Sequence, residues 1–201
     1  RKFKARAMGF HHSYFNLRDL ARNTNDLSFD EPQPVPDSPV QAYGLELYVS
    51  RNLSERIGAF MAYTLSRAEV GSTPPRPGIK GTVAHLSPFD RTHVFQIGAA
   101  AYLGLGWRIS SRFLTYRGWP DLGESADNLV PNGHRPNFWR IDARIEKRWD
   151  WRKTGYISLV IEALNASAQK EVVSRDCFGG KCRDNAIGPI VAPSIGVEGA
   201  P

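Results

Sequence analysis

The chain has 201 residues, 41% apolar and 23% charged, with 26 basic against 20 acidic side chains for a net charge of +6. The basic residues are scattered without a basic tail or run, which argues against a nucleic-acid partner. No stretch approaches the ~18 to 20 apolar residues of a membrane helix. A helical membrane protein is therefore excluded, whereas strands that are only half apolar would give too weak a hydropathy signal to be excluded. The chain opens at Arg1 with neither Met nor a leader pattern, and it is expected to be a piece of a longer polypeptide.

Eight strands are predicted, over 3–17, 40–51, 57–67, 93–103, 107–117, 137–149, 155–165 and 193–199. In the first, His11 and His12 are adjacent, so they point to opposite faces and cannot easily share a metal. The next two form "YGLELYVSRNLSERIGAFMAYTLS". Tyr43, Leu45, Leu47, Val49, Met61, Tyr63 and Leu65 fall on apolar faces, while Glu46, Tyr48 and Thr64 fall on the polar side. Ahead of the fourth strand stands "SPFDRTH", where an Asp90–His93 hydrogen bond is expected. In 107–115, Trp107, Ile109 and Phe113 oppose Arg108 and Arg112. In 140–147, Ile141, Ala143 and Ile145 oppose Arg140, Asp142, Arg144 and Glu146, and in 157–164 Ile157, Leu159 and Ile161 oppose Ser158 and Glu162.

Most of these strands run about 10 to 13 residues, roughly twice the ~5 to 6 usual in soluble proteins. About 11 tilted residues cover the ~25 Å apolar band of a membrane barrel. The connections alternate without exception between tight turns ("NLSER", "GLG", "DWRKT") and long segments over 18–39, 68–92, 118–136 and 166–192. The long segments are rich in Pro and Gly, which resist joining a sheet, and long structureless loops are uncommon in compact soluble domains. Short turns at one end and long loops at the other are the asymmetry of an outer-membrane barrel. Trp107, Trp149 and Trp151 beside the short turns, with Tyr116, Trp119, Phe138 and Trp139 at the long-loop ends, are expected to form two interfacial aromatic bands.

Cys177 and Cys182 in "CFGGKC" can close a small disulfide loop, which implies an oxidising compartment. A zinc site needs about four ligands, and no His or further Cys lies nearby in sequence. The chain contains no nucleophile elbow, P-loop or paired catalytic carboxylates, and "GLG" at 104–106 is a turn without a following helix. Neither enzymatic activity nor a cofactor is expected.

Five stretches, in order along almost the whole chain, resemble the C-terminal half of the barrel of TonB-dependent outer-membrane receptors. They are "AYGLELYVSRNLSERIGAFMAYTLSRAE", "SPFDRTHVFQIGAAAYLGLGWRISSRFLTYRGWP", "NFWRIDARIEKRW", "GYISLVIEALNA" and "APSIGVEG". The resemblance implies an all-β, antiparallel up-and-down transmembrane barrel segment, residues 1–201 being the last eight strands of a 22-stranded wall in the bacterial outer membrane. It implies periplasmic short turns, extracellular long loops, and a Cys177–Cys182 loop in the last extracellular loop. The implied function is TonB-coupled uptake of a large nutrient such as a ferric chelate or cobalamin. The implied partners are outer-membrane lipid, the receptor's own plug domain, the TonB system and the substrate. Glu46, Arg108, Arg112, Arg140, Asp142, Arg144, Glu146 and Glu162 would face the lumen, chiefly as an ion-pair ladder that keeps the wall hydrated and secondarily as substrate contacts. The chain departs from the family pattern in carrying no plug or TonB box and in ending "VEGAP" where an aromatic residue is usual.

Two other readings remain open from the residues. One is a self-contained eight-stranded outer-membrane barrel, structural or adhesive, which requires residues near 5–15 to pair with 193–199. The other is a soluble basic β-sandwich that binds anionic polymers.

Overall fold

The computed structural model describes residues 3–17, 38–52, 56–72, 83–87, 89–120, 133–151, 155–178 and 181–200. They form strands β1 (Phe3–Leu17), β2 (Ser38–Arg51), β3 (Ile57–Ser72), β4 (Val83–Leu86), β5 (His93–Gly104), β6 (Trp107–Tyr116), β7 (Phe138–Trp151), β8 (Gly155–Leu164), β9 (Glu171–Phe178), β10 (Lys181–Ile187) and β11 (Ala192–Ala200). All eight predicted strands are present. Three were missed because they lie inside the Pro- and Gly-rich segments: β4, which extends the pairing of β3, and the β9–β10 hairpin.

The main sheet is an antiparallel meander in the order β1-β2-β3-β5-β6-β7-β8-β11, and β9–β10 stands apart as a second, two-stranded sheet. Each strand therefore pairs with its nearest long neighbour along the chain, the cheapest arrangement in loop-closure entropy. The tightest described connection is Leu105–Gly106, where Gly104, Leu105 and Gly106 have φ of 91°, 50° and 76°. Such a two-residue reversal with positive φ matches the twist of the flanking strands. The sheet is open, with β1 at one edge and β11 at the other. The pairing of 5–15 with 193–199 that a self-contained barrel requires is absent from the register.

Registers align the odd-numbered residues of the main strands on one face and the even-numbered on the other. One row across the odd face reads Ile57, Ala101, Ile109, Ile145, Ile161, Ile195. Another reads Ala5, Val49, Met61, Ile97, Phe113, Ile141. This face is exposed: Leu45, Leu47, Met61, Ile97, Ile109, Ile145 and Ile161 all stand open, and Ile195 and Val197 are 72% and 74% accessible. Among the described residues no second sheet covers it, which a sandwich would require.

The buried residues are on the other side or in the loops. Val160 is the buried hydrophobic side chain among the described residues, whereas Ser87, Asp90, Asp142, Glu146, Ser158 and Asn165 are buried polar ones. A water-soluble fold has the opposite arrangement.

Two glycines on the even face are filled by rings from neighbouring strands. A Cβ on Gly44 would stand 2.3 Å from the Leu65 carbonyl oxygen and 2.8 Å from the Phe10 ring; one on Gly98 would meet only the Phe60 ring, at 2.4 Å. The Phe60 ring can rotate, but the Leu65 carbonyl is fixed by the β2–β3 ladder. Gly44→Ala is therefore expected to lower stability by about 1–3 kcal/mol, and Gly98→Ala by less. Thermal unfolding of the two variants in detergent micelles checks this order; equal losses would contradict it.

Candidate functional site

The even face of β6, β7, β8 and β11 carries two groups of paired charges. Register sets Arg112 opposite Asp142, Arg108 opposite Glu146, and Arg144 opposite Glu162, whose other neighbour is Ser194 on β11. Asp142 Oδ2 accepts from Arg112 Nε at 2.9 Å and Nη2 at 2.6 Å. Its Oδ1 accepts from the Asn165 backbone N–H at 2.9 Å and lies 3.3 Å from Arg140 Nε. Arg144 reaches Glu162 at 2.7 Å, Glu198 at 3.1 Å and Glu146 at 3.4 Å, and Arg108 stands 3.7 Å from Glu146.

Seven of the eight predicted lumen-facing residues thus fall in a ladder of two ion-pair groups, Arg112, Arg140 and Asp142 in one and Arg108, Arg144, Glu146 and Glu162 in the other. Glu46 shares their face, opposite Met8 and Thr64, but is separated from β6 by β3 and β5. Glu198 was missed, although its alternation in "SIGVEG" carried the signal. With Glu198 included, four guanidiniums (Arg108, Arg112, Arg140, Arg144) face four carboxylates (Asp142, Glu146, Glu162, Glu198), so the ladder neutralises itself. Partly exposed pairs contribute only ~0–1 kcal/mol each. Their main effect here is to keep a polar surface satisfied and wettable. The curved face they line encloses a concavity of about 480 Å³ that extends to Tyr48 and Phe60.

A second assembly ties the long segments to the sheet. Asn165, at φ 53°, donates through Nδ2 to the carbonyls of Gln169 (2.9 Å) and Ile190 (3.1 Å), while its Oδ1 accepts from the Gln169 N–H (3.1 Å) and Ser167 hydroxyl (3.2 Å). One side chain thereby fixes both ends of the segment carrying β9 and β10. The Glu171 carboxylate accepts from the Tyr116 hydroxyl at 2.7 Å and from Arg91 at 3.3 Å, and the Arg91 guanidinium lies 3.9 Å from the Tyr116 ring centre and 5.0 Å from that of Trp119. Nearby, burial pushes the His134 imidazole below its ordinary value; the Arg117 charge acts the same way and Asp90 opposes it.

Several expectations are corrected. Asp90 does not serve His93: it accepts from the Ala68 N–H at 2.6 Å and the Thr92 hydroxyl at 2.8 Å, whereas His93 Nδ1 lies 2.8 Å from the Tyr63 hydroxyl. The strand begins at His93 and turns that ring to the odd face, away from Asp90. The same alternation places Tyr116 and Phe138 on the even face, with ring centres 5.1 Å apart, so they do not belong to an outward band. On the odd face, Tyr43, Tyr63, Phe95 and Trp139 lie toward the long segments and Trp107, Trp149 and Trp151 toward the short turns. His11 and His12 diverge as expected, His11 stacking on Tyr43 and His12 lying between Phe10 and Tyr14.

No protein-family model, curated protein or solved structure matches the chain. The functional reading therefore rests on the two faces of the sheet. Among the described residues, the odd-numbered positions of the eight long strands carry Lys, Arg, Asp or Glu only near their ends. Arg51 and Lys147 lie toward the short turns, and Arg67 and Glu69 toward the long loops.

Cys177 stands directly opposite Cys182 in the β9–β10 register, one pair beyond the Phe178–Lys181 pair that flanks the turn; their side chains lie outside the described residues. Opposed strand positions have the Cα separation a disulfide needs. Intact-mass measurement before and after reduction is expected to show the gain of two hydrogens. An unchanged mass, with both thiols alkylated without reductant, would contradict the bridge.

Proposed function

We propose that the chain is part of the wall of a bacterial outer-membrane barrel, the C-terminal segment of a TonB-dependent receptor. Its odd face would meet lipid and its even face a hydrated lumen. The observation that carries this reading is the inverted polarity of the sheet: a broad, uncovered apolar face backs onto mutually paired charges, of which Asp142 and Glu146 are buried. In water, uncovered apolar surface of this extent is a liability to aggregation, whereas in lipid it is the favourable arrangement.

The receptor assignment draws on the ordered family-like stretches, the alternation of short turns with long loops, and the two open edges. Those edges suit a wall that continues into further strands rather than one that closes on itself. In that wall the substrate, a ferric chelate, cobalamin or comparable large nutrient, enters past the long loops, and a plug coupled to TonB gates its passage. The ladder's zero net charge favours a wetted, non-sticky wall over a substrate anchor.

Expression with membrane fractionation tests the reading. The chain is expected to stay with membranes through washes in high salt and alkaline carbonate, because salt screens electrostatic attachment and does not weaken apolar contact. A folded, detergent-free soluble monomer would overturn it.

A further inference from the structure

The outward face has one interruption in its apolar relief. Gly9, Leu45 and Leu65 lie side by side on β1, β2 and β3, and a Cβ on Gly9 would meet nothing closer than 3.9 Å. This leaves a groove of about 740 Å³, floored by Gly9, Leu45 and Leu65 and bordered by His11, Tyr43 and Arg67. The rim and the floor differ in chemistry. Arg67 is two residues beyond Leu65, about 7 Å farther along the strand toward the long loops. Its side chain is 57% exposed, and Glu69 engages Nε at 2.7 Å, which leaves the paired Nη edge directed away from that carboxylate. A guanidinium edge suits a phosphate, which it can grip with two parallel N–H donors. Lys147, the outward cation of β7, has a different setting, packed 5.2 Å and 5.8 Å from the Trp107 and Trp149 rings with no such groove beneath it.

We propose that this groove binds one anionic phospholipid of the surrounding leaflet, its acyl chain over Gly9, Leu45 and Leu65 and its phosphate on Arg67, a headgroup without a cation of its own being the one that leaves the phosphate free for the guanidinium. The inference rests on the odd face being lipid-exposed. The occupant follows from the joining of an apolar channel to a cationic rim at the level where the apolar belt ends. Glu69 tunes the site: by holding Nε it orients the guanidinium outward, and its own charge limits the attraction to lipids that can use both remaining donors.

The test is native mass spectrometry of the chain released from phosphatidylcholine vesicles doped with phosphatidylglycerol. Wild type is expected to retain phosphatidylglycerol in preference to phosphatidylcholine. Arg67→Gln should cut that preference about tenfold, Gly9→Leu should reduce retention of both lipids by filling the floor, and Lys147→Gln should leave the preference unchanged. Equal retention of both lipids by wild type, or an equal loss in Arg67→Gln and Lys147→Gln, overturns the site while leaving the membrane reading intact. Failure of every variant and of wild type to enter vesicles overturns the membrane reading and the site with it.

Discussion

Ile145→Arg is expected to weaken stable membrane insertion. Ile145 is well exposed on the odd face between Ile109 on β6 and Ile161 on β8, one row inside Lys147. A guanidinium there has no outward carboxylate within its row, and a cation on a lipid-facing strand costs up to ~2–4 kcal/mol, most at the middle of the membrane. That is a measurable part of the ~5–15 kcal/mol that typically separates a folded domain from its unfolded state. Thr64→Arg puts the same charge on the even face, opposite Glu46, and it should insert normally. Fractionation after carbonate washing separates the two. If the sheet were a soluble fragment, Ile145→Arg would be neutral or would improve solubility, and Thr64→Arg would be no better tolerated.

The second large effect is expected at Asp142. Its carboxylate accepts from the Asn165 N–H and the Arg112 guanidinium and stands beside Arg140. Asp142→Ala would leave the N–H without its acceptor and two cations without a counter-charge. Leaving the buried Asn165 N–H without an acceptor costs ~1–3 kcal/mol, and the two partly exposed ion pairs add ~0–1 kcal/mol each. Asp142→Asn restores an acceptor for Asn165 but not the charge and should lose less. Because Asn165 also holds the Gln169 and Ile190 carbonyls, Asp142→Ala should loosen the β9–β10 hairpin too, seen as faster hydrogen exchange across 171–187. Unfolding in micelles, with exchange measured on the same samples, checks both effects. An Asp142→Ala variant as stable as wild type would show that the ladder does not brace this wall.

Period-two alternation is why so much of the sheet was legible from residues alone. In β7, Ile141, Ala143 and Ile145 against Arg140, Asp142, Arg144 and Glu146 define both faces before any partner is known, and the tight turns make sequential antiparallel pairing the natural choice. The ladder was legible in membership, because its residues all fall on even positions of adjacent strands. Its individual pairs were not. Which arginine meets which carboxylate depends on register, and register depends on turns whose length the sequence brackets only within a few residues. Thus Arg144, rather than Arg140, became the residue joining three carboxylates. The loop anchors were least legible. The position of Asn165 between Asp142, Gln169 and Ile190 depends on where a long segment returns, and no local periodicity encodes that. The β9–β10 hairpin was missed because its strands lie inside a segment read as a Gly- and Pro-rich loop and alternate weakly in polarity. Tyr116 and Phe138 were placed by their nearness to strand ends, when parity alone would have put them inside.

Whether the odd face meets lipid can be measured directly. Both native cysteines are replaced by serine, single nitroxide labels are introduced at each position from 141 to 146 in turn, and each variant is reconstituted in vesicles. Collisions with oxygen, which concentrates in lipid, are compared with collisions with a water-soluble nickel chelate. High oxygen accessibility at 141, 143 and 145, with high nickel accessibility at 142, 144 and 146, is the predicted result. The reverse alternation, or nickel accessibility at all six positions, would contradict a lipid-facing odd face and the barrel wall built on it.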